Sequence, residues 1–292
     1  MTYFLQGELS QEERNPTTSR FRVIPVPLER TVSYGGGTSA GPDAILEAST
    51  ELERLCRDTE PCACGITTEP AVECFASLPT VMEDIAKRTC AAVAAGAIPV
   101  VLGGEHALTY GAVRGVARAT GRPIGIIQID AHADLRKAYQ EERHSHASVM
   151  QLLVEEEDVA LAQFGVRALC REEVDRRVAH SVFHIDAEEL VRDDIHTVQL
   201  PEEFPNDIYV SFDLDGLDPA ILPATGTPVP GGLGYYQALN LVRASLIDRK
   251  LVGIDVVELA PEIGSRVSNF TAAQLTYALM AAALPTLRDQ TL

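Results

Sequence analysis

The chain has 292 residues, 42 acidic against 24 basic side chains, a formal net charge of −18 and 46% hydrophobic content. A chain of this length buries roughly three quarters of the surface its unfolded form exposes, which excludes wholesale disorder. The charge excludes nucleic acid and anionic membrane surfaces as partners, because both are bound through Lys and Arg. The longest apolar runs, Ile98 to Leu102 and Leu275 to Leu284, are too short to span a bilayer. The N-terminus lacks the basic start and apolar core of a secretory signal, so a soluble cytoplasmic protein is expected. Six cysteines (Cys56, Cys62, Cys64, Cys74, Cys90 and Cys170) are too few and too irregular for a disulfide scaffold, and Cys62 and Cys64 lack the second pair a zinc site needs. Reduced thiols without an assigned role are expected.

In chain order, an apolar strand at Phe21 to Val26 is followed by helices at Pro42 to Leu55 and Val81 to Ala95. Strand Ile98 to Leu102 leads into helix His106 to Ala119, strand Ile124 to Ile129 into helix Ala147 to Val154, and strand Leu161 to Val166 into helix Arg171 to Ala179. Strand Ile208 to Leu214 precedes helix Tyr235 to Leu246, and strand Leu251 to Val257 precedes helix Thr271 to Ala283. The strands are near-continuously apolar rather than alternating, as in a parallel sheet covered on both faces. Strand and helix alternate with no internal repeat or linker, which predicts one α/β domain over residues 1–292, three layers deep, with a central, mostly parallel sheet.

In such sheets ligands bind beyond the carboxyl ends of the strands. There the sequence places Gly103-Gly104-Glu105-His106, then Asp130-Ala131-His132-Ala133-Asp134, then Asp213-Leu214-Asp215, then Glu258. Residues two apart in an extended segment share a face about 6.5 to 7 Å apart, so Asp130, His132 and Asp134 can converge, as can Asp213 and Asp215. Carboxylates crowded in this way resist joint ionisation, and a bound cation removes the penalty. Oxygen-rich ligation with two imidazoles favours a hard or borderline ion such as manganese, and six ligands suit two ions better than one tetrahedral zinc.

Taken singly, these positions have plainer readings. His106 could be a helix N-terminal residue, Asp215-Gly216 a tight turn, and Asp130 and Asp134 solvated acids near a helix start. The plain readings fail jointly, because three separate strand ends would each have to place acids and histidines at this spacing.

The chain resembles the ureohydrolase family of arginases and agmatinases, most closely the agmatinases. The resemblance rests on Thr31-Val32-Ser33-Tyr34-Gly35-Gly36-Gly37-Thr38, Gly41-Pro42-Asp43-Ala44-Ile45, Gly103 to His106, Asp130 to Asp134, Ser145-His146-Ala147-Ser148, Ser211 to Pro219, Gly226-Thr227-Pro228 and Val257-Glu258. It implies an arginase-like fold and two manganese ions per subunit, one held by His106, Asp130, Asp134 and Asp213, the other by Asp130, His132, Asp213 and Asp215. It further implies hydrolysis of a guanidino substrate to urea and an amine. Asp134 would handle the attacking water's proton, His146 would shuttle it (His144 being the rival), and Glu258 would pair with the substrate guanidinium. A homotrimer or homohexamer is implied as well. The plainer reading of Glu258 is an acid paired with Arg266. His180, His184 and His196 have no assigned role.

The arginine-recognition loop of arginases is missing: the chain reads Leu135-Arg136-Lys137 after the last Asp, and Cys170 falls at or near an acidic amino-group contact. Agmatine, giving putrescine and urea, is therefore the expected substrate. Arg136 or Lys137 facing the pocket would instead favour an anionic tail such as 4-guanidinobutanoate. Arginine, formiminoglutamate and guanidine are further alternatives, and a metal-holding regulatory relative is the non-enzyme one. The glycines of Tyr34 to Thr38 lack the P-loop lysine and are expected at the pocket mouth rather than on a phosphate.

Overall fold

Strands that are apolar at consecutive positions need cover on both faces, and the chain supplies it with helices. In the computed structural model, which describes residues 2–157 and 159–284, the order is β1 (Phe21–Val26), α1 (Gly41–Ser49), β2 (Ile66–Thr68), α2 (Leu78–Ala94), β3 (Ile98–Gly103), α3 (Thr109–Thr120), β4 (Ile124–Ile129) and α4 (Val149–Glu156). There follow β5 (Ala160–Phe164), α5 (Arg171–Ala179), β6 (Phe183–Ile185), α6 (Ala187–Arg192), β7 (Asp207–Asp213), α7 (Tyr235–Ser245), β8 (Lys250–Val257) and α8 (Val267–Ala282). The strands form one eight-stranded sheet in the order β2-β1-β3-β8-β7-β4-β5-β6, and every pairing is parallel.

Successive strand residues enter opposite layers. Val100, Leu102, Ile127, Ile129, Val210 and Phe212 pack with Ile45 of α1, Leu239 of α7 and Leu275 of α8. Val101, Ile126 and Tyr209 pack with Ile85 of α2, Val113 of α3 and Met150 of α4. This three-layer arrangement matches the sequence reading.

The differences are local. β2, β6 and α6 escape the sequence pattern because each is short and the two strands are edge strands, half exposed along their length. α1 stops at Ser49 rather than at Leu55: the Ser49 and Thr50 hydroxyls donate back to Leu46 O and Glu47 O, both at 2.7 Å, and compete with the helical ladder. Among the described residues no helix is long and apolar enough to cross a membrane.

Close backbone approach sets up the site at the end of β3. Gly104 N donates to Val26 O at 2.9 Å, Glu105 N to Leu28 O at 2.8 Å and Glu258 N to Gly104 O at 2.8 Å, stitching β1, β3 and β8 together beyond their strand ends. A Cβ on Gly104 would stand 2.0 Å from Leu28 O. Gly104→Ala is therefore expected to destabilise the protein by about 2–3 kcal/mol, as overpacking against rigid backbone does. Urea denaturation checks this, and an unchanged midpoint would contradict the packing described.

Candidate metal centre

The four central strands β3, β8, β7 and β4 end side by side, and each hands polar residues to one rim. β3 runs through Gly104 and Glu105 into a single 3-10 turn, His106–Leu108. β7 runs into a second, Leu214–Gly216, capped by the Asp213 carboxylate, which accepts from Asp215 N at 2.9 Å. Asp215 is thus a turn residue and a site residue at once. After β4 the chain is not extended: Asp134 sits at φ 53°. The same-face alternation expected from a spacing of two breaks down there, and Asp134 reaches the site because the loop curls. Glu258, just past β8, has φ 67°. Positive φ is costly for residues with a Cβ and collects at functional positions.

The side chains form two clusters that share Asp130. His106, Asp130 and Asp134 make one, and Asp130, His132 and Asp215 the other, each with its ligand atoms within 4.8 Å of one another. His106 Nδ1 lies 2.9 Å from Asp134 Oδ2, 3.2 Å from Asp130 Oδ2 and 3.3 Å from Asp213 Oδ2. His132 Nδ1 lies 3.1 Å from Asp215 Oδ2. Backbone amides aim the acids: Asp130 Oδ1 accepts from His132 N at 2.6 Å, and Asp215 Oδ1 from Ala131 N at 3.0 Å.

The state of His106 tests whether a cation fits. Its Nε2 meets Ser211 Oγ at 2.8 Å, and Ser211 donates its only hydroxyl proton to Asp255 Oδ1 at 2.8 Å. Ser211 can therefore only accept from His106, which keeps a proton on Nε2. Nδ1 is left fully buried with no hydrogen-bond partner while facing three carboxylates. Nδ1, aimed into the carboxylate cage, is thus the atom that can give its lone pair to a metal once it sheds its proton, and an outer hydrogen bond that fixes the tautomer is the usual support for such a ligand.

Without a cation the cage relies on protons. His106 is raised well above its ordinary value: burial opposes its charge, but Asp130, Asp134 and Asp213 outweigh burial. His132 is likewise pushed up to about 12 against burial, by Asp130 and Asp215. Burial and then the Asp130 charge push Asp134 up to about 7, and burial with Asp215 and Asp130 raises Asp213 strongly. Asp130 goes the other way: burial raises it, but the His106 and His132 imidazoles beside it hold it below the usual range.

A cavity of about 180 Å³ opens above the clusters. His106, His132, Asp134, His146, Asp213, Asp215 and Glu258 line it, and Asp130 lies buried beneath. His146 engages Thr31 Oγ1 through Nδ1 at 3.1 Å and meets the Tyr139 ring edge-on. Burial, then the charges of His106 and His132, hold its imidazole down at about 4. His144 packs against Tyr110 instead. Glu258 accepts from His106 N at 2.7 Å, and burial pushes its carboxyl up to about 8. Among the described residues it forms no ion pair with Arg266.

Tyr34, Gly35, Gly226 and Thr227 shape the mouth, where a Cβ on Gly35 would meet Gly226 O at 2.9 Å. Arg136 is in the wall, its guanidinium 5.7 Å from the centre of the Tyr139 ring and 4.0 Å from Glu173, whereas Lys137 is exposed. Cys170 caps α5, and the acid that lines the cavity from that helix is Glu173. All six cysteines are free thiols.

Sequence reasoning missed the supporting polar residues: Gln128, Gln163, Ser211, Asp255 and Glu105, which accepts from Arg30 N and Thr31 N. Their signal was present. Gln128, Ser211 and Asp255 are polar side chains inside otherwise apolar strands, and each is fully buried.

Two ligand clusters sharing one carboxylate make a centre of the two-ion hydrolase class. The sequence profile of the Arginase family matches residues 19–282. An N(1)-aminopropylagmatine ureohydrolase from Synechocystis is 37% identical, with 88% of this chain and 87% of that protein covered. An agmatinase from Pyrococcus horikoshii is 31% identical over 87% and 89%. The crystal structure of agmatine ureohydrolase of Thermoplasma volcanium superposes with a TM-score of 0.81 at 25% identity, covering 97% of this chain and 94% of that one. The chain belongs to the Arginase family, a family of binuclear metal-dependent hydrolases acting on guanidino C–N bonds.

Protons and metal compete for the same atoms. With Asp134 near 7 and His106 and Asp213 raised well above their ordinary values, each of these groups must release its proton to take an ion, so raising the pH favours the metal. Manganese content at fixed free manganese is expected to rise from about pH 6 to about pH 8, with proton release on binding. Metal analysis and calorimetry in two buffers check this; loading that does not change with pH would contradict the proton-filled cage.

Proposed function

We propose that this protein hydrolyses an aliphatic guanidine without an α-carboxylate, releasing urea and a polyamine, with manganese as the metal. The two ions would be held by His106, Asp130, Asp134 and Asp213, and by Asp130, His132, Asp213 and Asp215. When bound, they supply a water acidic enough to ionise near neutrality. The observation that carries this reading is the buried, partnerless His106 Nδ1 facing three carboxylates beneath a pocket that Glu258 lines.

The residues divide the remaining work. Glu258 receives the guanidinium: a carboxylate facing a planar fork makes a two-point contact, and the incoming cation favours the ionised acid that burial disfavours. Asp134 orients the attacking water and accepts its proton. His146 is neutral at working pH, because burial keeps its imidazole low. With Nδ1 held by Thr31, its Nε2 is free to take the proton that Asp134 has accepted and pass it to the leaving amine. The protein's negative charge draws a cationic substrate toward the mouth.

Within this class we infer N(1)-aminopropylagmatine as the substrate. The 37%-identical Synechocystis relative carries that name, and Tyr34 stands at the rim 89% exposed, offering an aromatic face to an ammonium on the longer tail. Agmatine is the second reading, favoured by the 31%-identical agmatinase. Arg136 in the wall would favour a carboxylate tail, but Glu173 lies within 4.0 Å of it and offsets its charge.

A urea-release assay over N(1)-aminopropylagmatine, agmatine, 4-guanidinobutanoate and arginine tests the order. The first is expected to have the highest kcat/KM, and 4-guanidinobutanoate or arginine as the best substrate would overturn the assignment. Tyr34→Ala is expected to raise KM for the aminopropyl compound more than for agmatine, by a factor of about 3 to 10. Glu258→Gln is expected to lower kcat/KM about 100-fold with metal content unchanged, and a wild-type value would remove Glu258 from guanidinium binding.

A further inference from the structure

A chain of side chains runs from Asp186, at the start of α6, through Arg177 of α5 to the carboxylate shared by both clusters. Asp186 Oδ1 accepts from Arg177 Nη1 at 2.9 Å, and Arg177 Nε donates to Gln163 Oε1 at 2.8 Å. Gln163 Nε2 donates to Gln128 Oε1 at 2.6 Å, and Gln128 Nε2 donates to Asp130 Oδ2 at 2.6 Å. Arg177 is 4% exposed, and Gln163, Gln128 and Asp130 are fully buried.

The direction of this chain is forced at its origin. A guanidinium has donors only, so Gln163 must turn its carbonyl to Arg177 and its amide nitrogen inward. Gln128 must then accept with its oxygen, which leaves its nitrogen for Asp130. Asp130 thereby receives a donor whose polarity is set two side chains away by a buried positive charge, and aligned bonds in a low-dielectric interior reinforce one another. Gln163 Nε2 also donates to Ala133 O at 2.7 Å, gripping the loop that carries His132 and Asp134. One turn earlier on α5, Glu173 accepts from Leu135 N at 3.2 Å, so the helix braces the same loop at two points.

We propose that Arg177, through Gln163 and Gln128, is a positioning residue for the metal centre: the relay locks Asp130 in the orientation in which it serves both ions. The proposal rests on the two-ion reading above. Reversing the relay, rather than removing it, is the discriminating change. In Gln163→Glu the side chain still pairs with Arg177 and keeps its shape, but it has no N–H for Gln128. Gln128 must then flip to donate to it, turning its own carbonyl oxygen toward Asp130.

The test measures manganese affinity and stoichiometry of the full chain by competition with a chelating dye, together with the electron paramagnetic resonance signal of the loaded pair. Metal-free thermal midpoints serve as the control for folding. Wild type is expected to hold two ions in a spin-coupled pair. Gln163→Glu and Arg177→Met are expected to bind at least one ion about 10- to 100-fold more weakly, the range seen when outer partners of metal ligands are lost, and to lose spin coupling. Arg177→Lys, which restores a donor to Gln163, is expected to recover most of that affinity. Wild-type affinity and coupling in both Gln163→Glu and Arg177→Met would overturn the relay while leaving the two-ion reading intact. A wild-type protein that holds fewer than two ions would overturn the reading itself.

Discussion

Four buried aspartates cannot share so small a volume as free anions, and much of the surrounding structure answers that constraint. Asp130, Asp134, Asp213 and Asp215 are each at most 5% exposed. The protein meets their repulsion with amide dipoles from His132, Ala131 and Asp215, with two imidazoles, and with outer donors such as Gln128. None of these is a full counter-charge once the imidazoles are neutral. Divalent cations are, and a site that is unfavourable without them binds them strongly for that reason.

The same constraint explains the backbone. Loops that bring acids together must turn away from regular geometry, and Asp134 and Glu258 adopt positive φ where an extended chain would have carried their side chains elsewhere. Such conformations persist only when neighbours over-determine them. Here Asp134 O accepts from Met150 N and Gln151 N, at 3.1 and 3.2 Å, and Glu258 N is tied to Gly104 O. Ser211, Thr109 and Tyr209 all donate to Asp255, so the group that sets the His106 tautomer is itself held by three hydroxyls. The local strain is therefore anchored in the layers of the fold.

The candidate ligands were legible in the sequence because acids and histidines directly after apolar runs stand out, and His106, His132, Asp213 and Asp215 all line the pocket. The layers were legible too, since continuous apolar runs demand two-sided cover. Less visible were the edge strands β2 and β6, three residues each, whose exposure leaves no apolar signature. The route by which Asp134 reaches the site was hidden as well, because loop curvature has no period. The chain from Arg177 to Asp130 joins residues 47 positions apart through two glutamines, and sequence spacing says nothing about contacts across β4, β5 and α5. The order of the strands was equally hidden, since short-range patterns do not state which strand lies beside which.

That order decides what holds the two sides of the cage together. β8, the last strand along the described chain, lies between β3 and β7 rather than at an edge. Without residues 250–257 no strand pairing would join the two halves of the sheet, β2-β1-β3 and β7-β4-β5-β6. His106 belongs to the first half, and Asp130, Asp134, Asp213 and Asp215 to the second. β8 is thus the strand that holds the His106 imidazole beside the carboxylates of the other half, through pairings that are distant in sequence on its β3 side. The cluster of Asp130, His132 and Asp215 lies wholly on the second half, whereas the cluster of His106, Asp130 and Asp134 spans both, so β8 is the strand on which the shared geometry of the two depends.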